Sequence, residues 1–101
     1  MSANASRQAS IASLRAFLAG LKGRSLETNS GRSTFTAVIE PGRILVTPHK
    51  TTKPRGIMDA EVEKVLDRYH ETGSLRPADY QDISFNASYI LAILRAYVEG
   101  A

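Results

Sequence analysis

The chain of 101 residues contains no cysteine and no tryptophan, and it has only seven aromatic residues. The lack of cysteine excludes disulfides, thiolate metal sites and thiol nucleophiles. No apolar run approaches the ~20 residues needed to span a bilayer, and the polar start "MSANASRQAS" does not resemble a signal peptide. We therefore expect a cytoplasmic protein that has no membrane contact.

The composition is that of a small globular protein. Apolar residues make up 43% of the chain and charged residues 23%, which is ordinary for one domain. Residues 1–9 are polar and are predicted to form a tail. Residues 10–101 are predicted to form a single domain with one modest core.

The charge is unevenly distributed along the chain. Residues 1–58 carry nine basic and two acidic side chains, a formal charge of +7, whereas residues 59–101 carry four basic and eight acidic ones, a formal charge of −4. The front half can face a polyanion while the rear half stays in solvent. The alternative is that the two halves neutralise each other across the fold.

Apolar spacing predicts a helix followed by a β-hairpin. From Ser10, a possible cap, apolar residues recur at helical intervals until Gly23, which is placed to end the helix. The segment "TFTAVIEPGRILVTP" then alternates in polarity on both sides of Pro41-Gly42, a turn pair. Two strands are marginal in water, so this hairpin must lie on helices or gain a third strand.

Two further helices complete the predicted α+β fold: helix, β-hairpin, helix, loop, buried C-terminal helix. The middle helix is predicted from a cap at Asp59 to about Thr72, and the last from a cap at Asn86 to about Glu99. No charge occurs between residues 83 and 94, so the last helix is apolar on nearly all sides. This indicates either a central position or a subunit contact, for which the candidates are Tyr89, Leu91 and Val98.

The basic stretch "TPHKTTKPRG", residues 47–56, is the strongest functional signal. It has no apolar side chain large enough for a core and no acid, so it is either a solvated connector or a surface for an anion. Phosphate binding needs several cations on one surface. The predicted phosphate contacts are Arg43, Lys50, Lys53 and Arg55, with His49 and Arg32 in support. No aromatic residue interleaves with them, so backbone or groove contact is favoured over base stacking; Tyr80 is expected to be the most exposed aromatic.

Other chemistry is weakly indicated. Glu63, Asp67, His70 and Glu71 share one side of the middle helix, where they could hold a divalent cation or form a solvated face. The solvated face is favoured, and no metal or other cofactor is predicted. The chain has no GxSxG elbow, no phosphate-binding loop and no GxGxxG motif. No catalytic residue is therefore assigned, and the protein is not expected to be an enzyme.

Three segments carry a resemblance to known proteins: "STFTAVIE", "KTTKPRGI" and the closing "NASYILAIL". Their order resembles small bacterial domains that accompany restriction and other DNA-processing proteins. The resemblance implies a nucleic-acid-associated module of mobile-element type without catalytic residues. Within it, Asn86, Ser88 and Tyr89 also have a structural interpretation, as a helix cap, a first-turn residue and a core aromatic.

Two functions follow as hypotheses. The first is non-catalytic nucleic-acid binding through the basic hairpin edge and loop, with DNA and RNA not distinguished. The second is an oligomerising protein–protein interaction module. There the last helix would form a homodimer contact, and the acidic face around Glu63, Asp67 and Glu71 would bind a basic partner.

Overall fold

The computed structural model describes residues 9–28 and 33–100 of the chain, which form three α-helices and a four-stranded antiparallel sheet. The strands lie in the order β1-β2-β3-β4. The predicted α+β class is confirmed. The helices are α1 (Ile11–Leu21), α2 (Asp59–Thr72) and α3 (Ala87–Gly100), with a 3-10 turn at Pro77–Tyr80, and the strands are β1 (Leu26–Glu27), β2 (Thr34–Glu40), β3 (Arg43–Pro48) and β4 (Arg55–Met58).

Helix α1 begins and ends as its sequence predicts. The Ser10 hydroxyl accepts a hydrogen bond from the Ser13 amide at 3.1 Å, while Ser13 Oγ accepts one from the Ser10 amide at 2.8 Å. This reciprocal pair satisfies donors that no helical carbonyl can reach. At the other end Lys22 and Gly23 both have positive φ, 53° and 82°, and turn the chain toward β1.

The sheet is larger than the predicted hairpin. Strands β2 and β3 pair from Phe35↔Pro48 to Glu40↔Arg43 around Pro41-Gly42, which confirms the hairpin. The basic stretch, however, is more than a connector, because its end forms β4 and pairs with β3 from Val46↔Arg55 to Arg43↔Met58. The third strand that a marginal hairpin requires is thus supplied by residues 55–58, which overlap the end of the basic stretch.

The inner face of the sheet packs against the helices. Alternate side chains of β2, β3 and β4 are almost fully buried there: Phe35, Ala37, Ile44, Val46 and Ile57. The outer face has no helix on it in the described chain, and it leaves Val38 51% exposed and Met58 56% exposed. A sheet with one buried and one solvated face gives the observed alternation of burial along its strands.

Helix α3 occupies the centre of the core. Five consecutive residues from Ile90 to Leu94 are at most 3% exposed, so the helix is buried on several sides by the protomer itself. Its contacts with α1, α2, β1 and the 3-10 turn confirm the predicted central position. Ahead of it, Asn86 Nδ2 donates to Glu61 Oε2 at 3.2 Å, and Ser84 Oγ donates to the same carboxylate oxygen. These bonds fix the start of α3 to α2.

Two local predictions are wrong. Tyr80 is fully buried, because the 3-10 turn directs its ring inward and its hydroxyl donates to the Ser74 carbonyl at 2.6 Å. Asp59 is the first residue of α2; the cap position is Met58, which makes no side-chain cap hydrogen bond. The Asp59 carboxylate instead accepts a hydrogen bond from Arg15 on α1 at 3.2 Å.

None of the described helices has the length and apolar character needed to cross a membrane.

Candidate nucleic-acid interface

The basic loop, residues 49–54, connects β3 to β4 at one end of the sheet. Every residue from His49 to Gly56 is exposed. The antiparallel order puts the loop beside the start of β2 and the end of β1. The loop is therefore the tip of a hairpin that presents Lys50 and Lys53 to solvent.

The loop is held by its own hydrogen bonds. The Thr52 amide donates to the Pro48 carbonyl at 2.8 Å, and the Thr52 hydroxyl donates to the Thr51 carbonyl at 2.6 Å. Thr52 adopts φ 58°, the left-handed region, which costs a non-glycine residue ~1–2 kcal/mol. Strain of this kind is concentrated at functional sites. In the part of the chain that the structure describes, neither lysine side chain hydrogen-bonds another residue of the loop.

The loop cations are not neutralised by acids of the rear half. Across residues 9–28 and 33–100, the ion pairs are Arg15–Asp59, Arg43–Glu40, Arg68–Asp82 and Arg95–Glu99. Lys50, Lys53 and Arg55 take part in none of them. Within this part of the chain, the charges of these three side chains are not offset by an ion pair.

Arg55 differs from the two lysines because it lies at the edge of the helix layer. It pairs with Val46 and so shares the inner face of the sheet. Its guanidinium carbon lies 5.8 Å from the centre of the Tyr89 ring, a cation–π contact that leaves the charge intact. That ring in turn meets Phe35 edge-on at 5.1 Å, so Arg55 is more firmly positioned than the lysines.

Arg43 starts at the opposite end of the sheet, but its side chain reaches back along the outer face. A Cβ placed on Gly56 would lie 3.1 Å from Arg43 Nη1, so the guanidinium rests directly over Gly56, the neighbour of Arg55. Its Nε also donates to Glu40 Oε1 at 2.6 Å. The Arg43 side chain therefore lies next to Arg55 in the sheet, and its charge is partly offset by Glu40. The lack of a side chain at Gly56 makes room for Arg43.

His49 ties neighbouring strands together. Its Nδ1 lies 2.6 Å from Thr34 Oγ1 and its Nε2 lies 3.4 Å from Ser25 Oγ, while its amide donates to the Thr34 carbonyl at 3.0 Å. Both ring nitrogens thus face hydroxyl groups of the protein. His49 supports the loop by fixing its base, and Arg32, the other supporting residue, lies outside the described residues.

The predicted subunit-contact residues on α3 are mostly taken up within the protomer. Leu91 is fully buried and has no surface to offer a second copy. Tyr89 and Val98 are half-buried and pack against the core, with Tyr89 also lying beneath Arg55. Helix α3 therefore exposes little apolar surface that a second copy could contact.

The acidic face of α2 borders a shallow cleft. Glu63, Asp67 and His70 line it together with the start of α1, around a volume of about 250 Å³. Within residues 9–28 and 33–100, however, no three His, Asp or Glu side chains are arranged to hold a metal ion.

Two features were missed by the sequence analysis. Arg15 joins three elements, since it hydrogen-bonds the carbonyls of Glu40 and Arg43 and the carboxylate of Asp59. Phe85 is 98% exposed, next to a cleft of about 500 Å³. The role of Arg15 depends on how distant segments meet, and the exposure of Phe85 depends on how the turns before α3 fold.

Comparison with known proteins gives no match: no family model, no curated protein and no solved structure is similar to this chain.

Proposed function

We propose that this protein is a non-catalytic nucleic-acid-binding module that contacts the phosphate backbone through the basic loop. One observation carries the proposal: Lys50 and Lys53 are exposed, unpaired with any acid of the described chain, and mounted on a short loop at a hairpin tip. We take this protein to be cytoplasmic. The similarity to domains of DNA-processing proteins remains a prediction from the sequence.

The arrangement suits backbone contact. Lysine is a flexible point charge with three donors, whereas arginine is a planar fork that can bind two oxygens of one phosphate. Lys50 and Lys53 would neutralise phosphates at the loop tip, and Arg55 would approach from the helix side. Thr51 is exposed between them and its hydroxyl adds a neutral donor, whereas the Thr52 hydroxyl already donates to the Thr51 carbonyl. Contacts of this kind position a protein but read no bases, so DNA and RNA are both expected to bind.

The salt dependence of binding tests the proposal. Each phosphate neutralised on duplex DNA contributes ~0.9 to the slope of log K against log salt. The double variant Lys50→Ala with Lys53→Ala should therefore bind DNA more weakly and reduce that slope by about 1.8. Fluorescence anisotropy with a labelled duplex, titrated at several salt concentrations, measures both quantities.

A matched control distinguishes the effect of the loop lysines from the effect of lowering the net charge. Lys22 and Lys64 are also exposed and lie outside the loop, so Lys22→Ala with Lys64→Ala removes the same charge. That control should retain most of the parental slope. Equal effects of the two double variants, or no binding by the parent at low salt, would contradict the proposal.

A second function, a protein–protein interaction module, is favoured by Phe85. Phe85 is 98% exposed beside an uncharged cleft lined by Pro77, Gln81, Ser84, Ala87 and Ser88. An aromatic side chain in this position would supply the apolar contact of a partner interface. Sedimentation with and without nucleic acid separates the two functions. Assembly that is lost in Phe85→Ser, together with no shift on nucleic acid, would favour this alternative.

A further inference from the structure

Strand β2 has an open edge along most of its length. Strand β1 covers only the beginning of β2, pairing Leu26↔Phe35 and Glu27↔Thr34. From Thr36 to Glu40, β2 has no strand neighbour on that side within residues 9–28 and 33–100. An uncovered edge of this kind is a template for adding another strand.

The register shows which backbone groups are free at this edge. The His49 amide donates to the Thr34 carbonyl, and hydrogen-bonded pairs alternate in an antiparallel ladder, so Thr36 and Val38 direct their backbone groups toward β3. On the opposite side, the Thr28 amide donates to the carbonyl of Ser33, so the odd-numbered residues of β2 direct their backbone groups away from β3. Ala37 and Ile39 therefore point their N–H and C=O groups at the open edge.

Helix α1 forms a groove along this edge. The groove has a volume of about 360 Å³. It is lined by Leu18 and Ala19 from α1, by Lys22 and Gly23 just past the end of α1, and by Ala37, Val38 and Ile39 from β2. The side of α1 that is exposed carries only small residues at helical spacing: Ala12, Ala16, Ala19 and Gly20. A Cβ at Gly20 would meet no atom within 4 Å. Small side chains allow another helix to approach closely.

We propose that a second copy of this chain occupies the edge, with the two β2 strands antiparallel around a two-fold axis at Val38. This register sets Ala37 opposite the partner's Ile39, and both residues direct their backbone groups outward, so four new hydrogen bonds form. The two sheets become one sheet of eight strands. The two α1 helices then lie on the same face, with their small-residue sides facing each other.

Val38 favours a second copy over an unrelated strand. It is a β-branched apolar residue left 51% exposed on the outer face. At the axis it opposes its own counterpart in a non-hydrogen-bonded pair, where side chains approach most closely. Self-pairing thus buries an apolar residue that the protomer leaves in solvent, and the uncharged side of α1 meets an identical uncharged side.

The salt dependence of this dimer is expected to be opposite to that of nucleic-acid binding. Each copy carries a formal charge of +3, so the two copies repel each other and salt screens the repulsion. The dimer should strengthen modestly as salt rises, whereas phosphate contacts weaken. Because no nucleic acid is needed, failure of the dimer and failure of the proposed function are measured separately.

Sedimentation equilibrium of the full chain tests the dimer at protein concentrations from about 10 µM to about 1 mM. The parent should dimerise, and Ala19→Arg, which places a bulky charge in the groove, should raise the dissociation constant about tenfold or more. Ala60 is exposed on α2, so Ala60→Arg is the matched control and should leave the dimer unchanged. A parent that stays monomeric at the highest concentration, or an Ala19→Arg variant that dimerises equally well, overturns the proposal.

Amide hydrogen exchange gives an independent measurement at the edge. The Val38 amide belongs to the β2–β3 ladder and should be protected at every protein concentration. The Ile39 amide points at the open edge and should become protected only as the dimer forms. A dimer in which the Ile39 amide exchanges as fast as in the monomer assembles through another surface, and this result also overturns the proposal.

Discussion

Arg15 on α1 contacts both sides of the β2–β3 turn and the first residue of α2. Its Nη2 donates to the Glu40 carbonyl at 2.7 Å, and its Nη1 donates to the Arg43 carbonyl and to Asp59 Oδ1, both at 3.2 Å. The Arg15 and Asp59 side chains are only 24% and 29% exposed. Substitution of Arg15 by methionine would keep the packing of the stem and remove all three contacts.

The expected loss of stability is large for a chain of this size. Hydrogen bonds from a charged donor contribute ~1.5–3 kcal/mol each, but the two carbonyls lie at a turn where water can replace the guanidinium. We therefore expect Arg15→Met to lower the free energy of unfolding by about 3 kcal/mol. A domain of about 100 residues is typically stable by only ~5–15 kcal/mol, and each kcal/mol shifts Tm by ~4–8 °C.

Urea denaturation followed by circular dichroism, with Tm measured in parallel, gives this quantity directly. The control is Arg95→Met, because Arg95 pairs with Glu99 one turn away on the surface of α3. Such an exposed pair contributes only ~0.3–0.5 kcal/mol. If Arg15→Met costs no more than Arg95→Met, the three contacts of Arg15 do not stabilise the fold and the reasoning is refuted.

Three further predictions concern Tyr80, Asp82 and Thr52. Burial raises the pKa of the Tyr80 phenol above its ordinary value of 10.0, so the parent should lose stability as pH rises above that value. Tyr80→Phe should reduce this loss of stability. At neutral pH the variant should cost ~1 kcal/mol, because the Ser74 carbonyl loses its hydrogen bond. A steep alkaline loss that persists in the variant would contradict this origin. The hydrogen bond from Arg68 lowers the pKa of the Asp82 carboxyl below 3.8. The stabilisation by this bond is therefore present above pH 3.8 and is lost as pH falls through the lowered pKa. Asp82→Asn should weaken the loss of stability at acid pH in urea titrations, and an unchanged loss would argue against the pairing. Thr52→Gly should be more stable than Thr52→Ala by up to ~1 kcal/mol, because both variants lack the hydroxyl that donates to the Thr51 carbonyl and only glycine relieves the positive φ. A glycine variant that unfolds at a lower temperature than the alanine variant would show that the loop is unstrained.

Much of the fold could be predicted from the sequence because its signals are local. The Ser10 cap, the alternation in β2 and β3, and the Pro41-Gly42 turn all act over a few residues, and each was found where the pattern predicts it. The uncharged run in α3 predicted a central helix for a similar reason, since an element without a polar side must be buried around its circumference.

The errors arose where the structure of a segment depends on the partner that it meets. Residues 55–58 are too short and too polar to predict a strand, and they became one because β3 offered a free edge. Tyr80 was expected in solvent, yet a 3-10 turn and the Ser74 carbonyl bury it. Local patterns contain no information about which partner a segment will find.

For the candidate site, the sequence determined which charges are present. It contains a stretch of cations without acids, on a chain whose acids are concentrated in the rear half. Only the tertiary structure decided how each cation is used. Among the described residues it pairs neither Lys50 nor Lys53 with an acid. It sets Arg55 over Tyr89 and Arg43 over Gly56, and it bonds Arg15 to the carbonyls of Glu40 and Arg43. The physical reason is that the charge of a side chain is fixed by its chemistry, whereas its partners are fixed by packing between segments far apart in the chain.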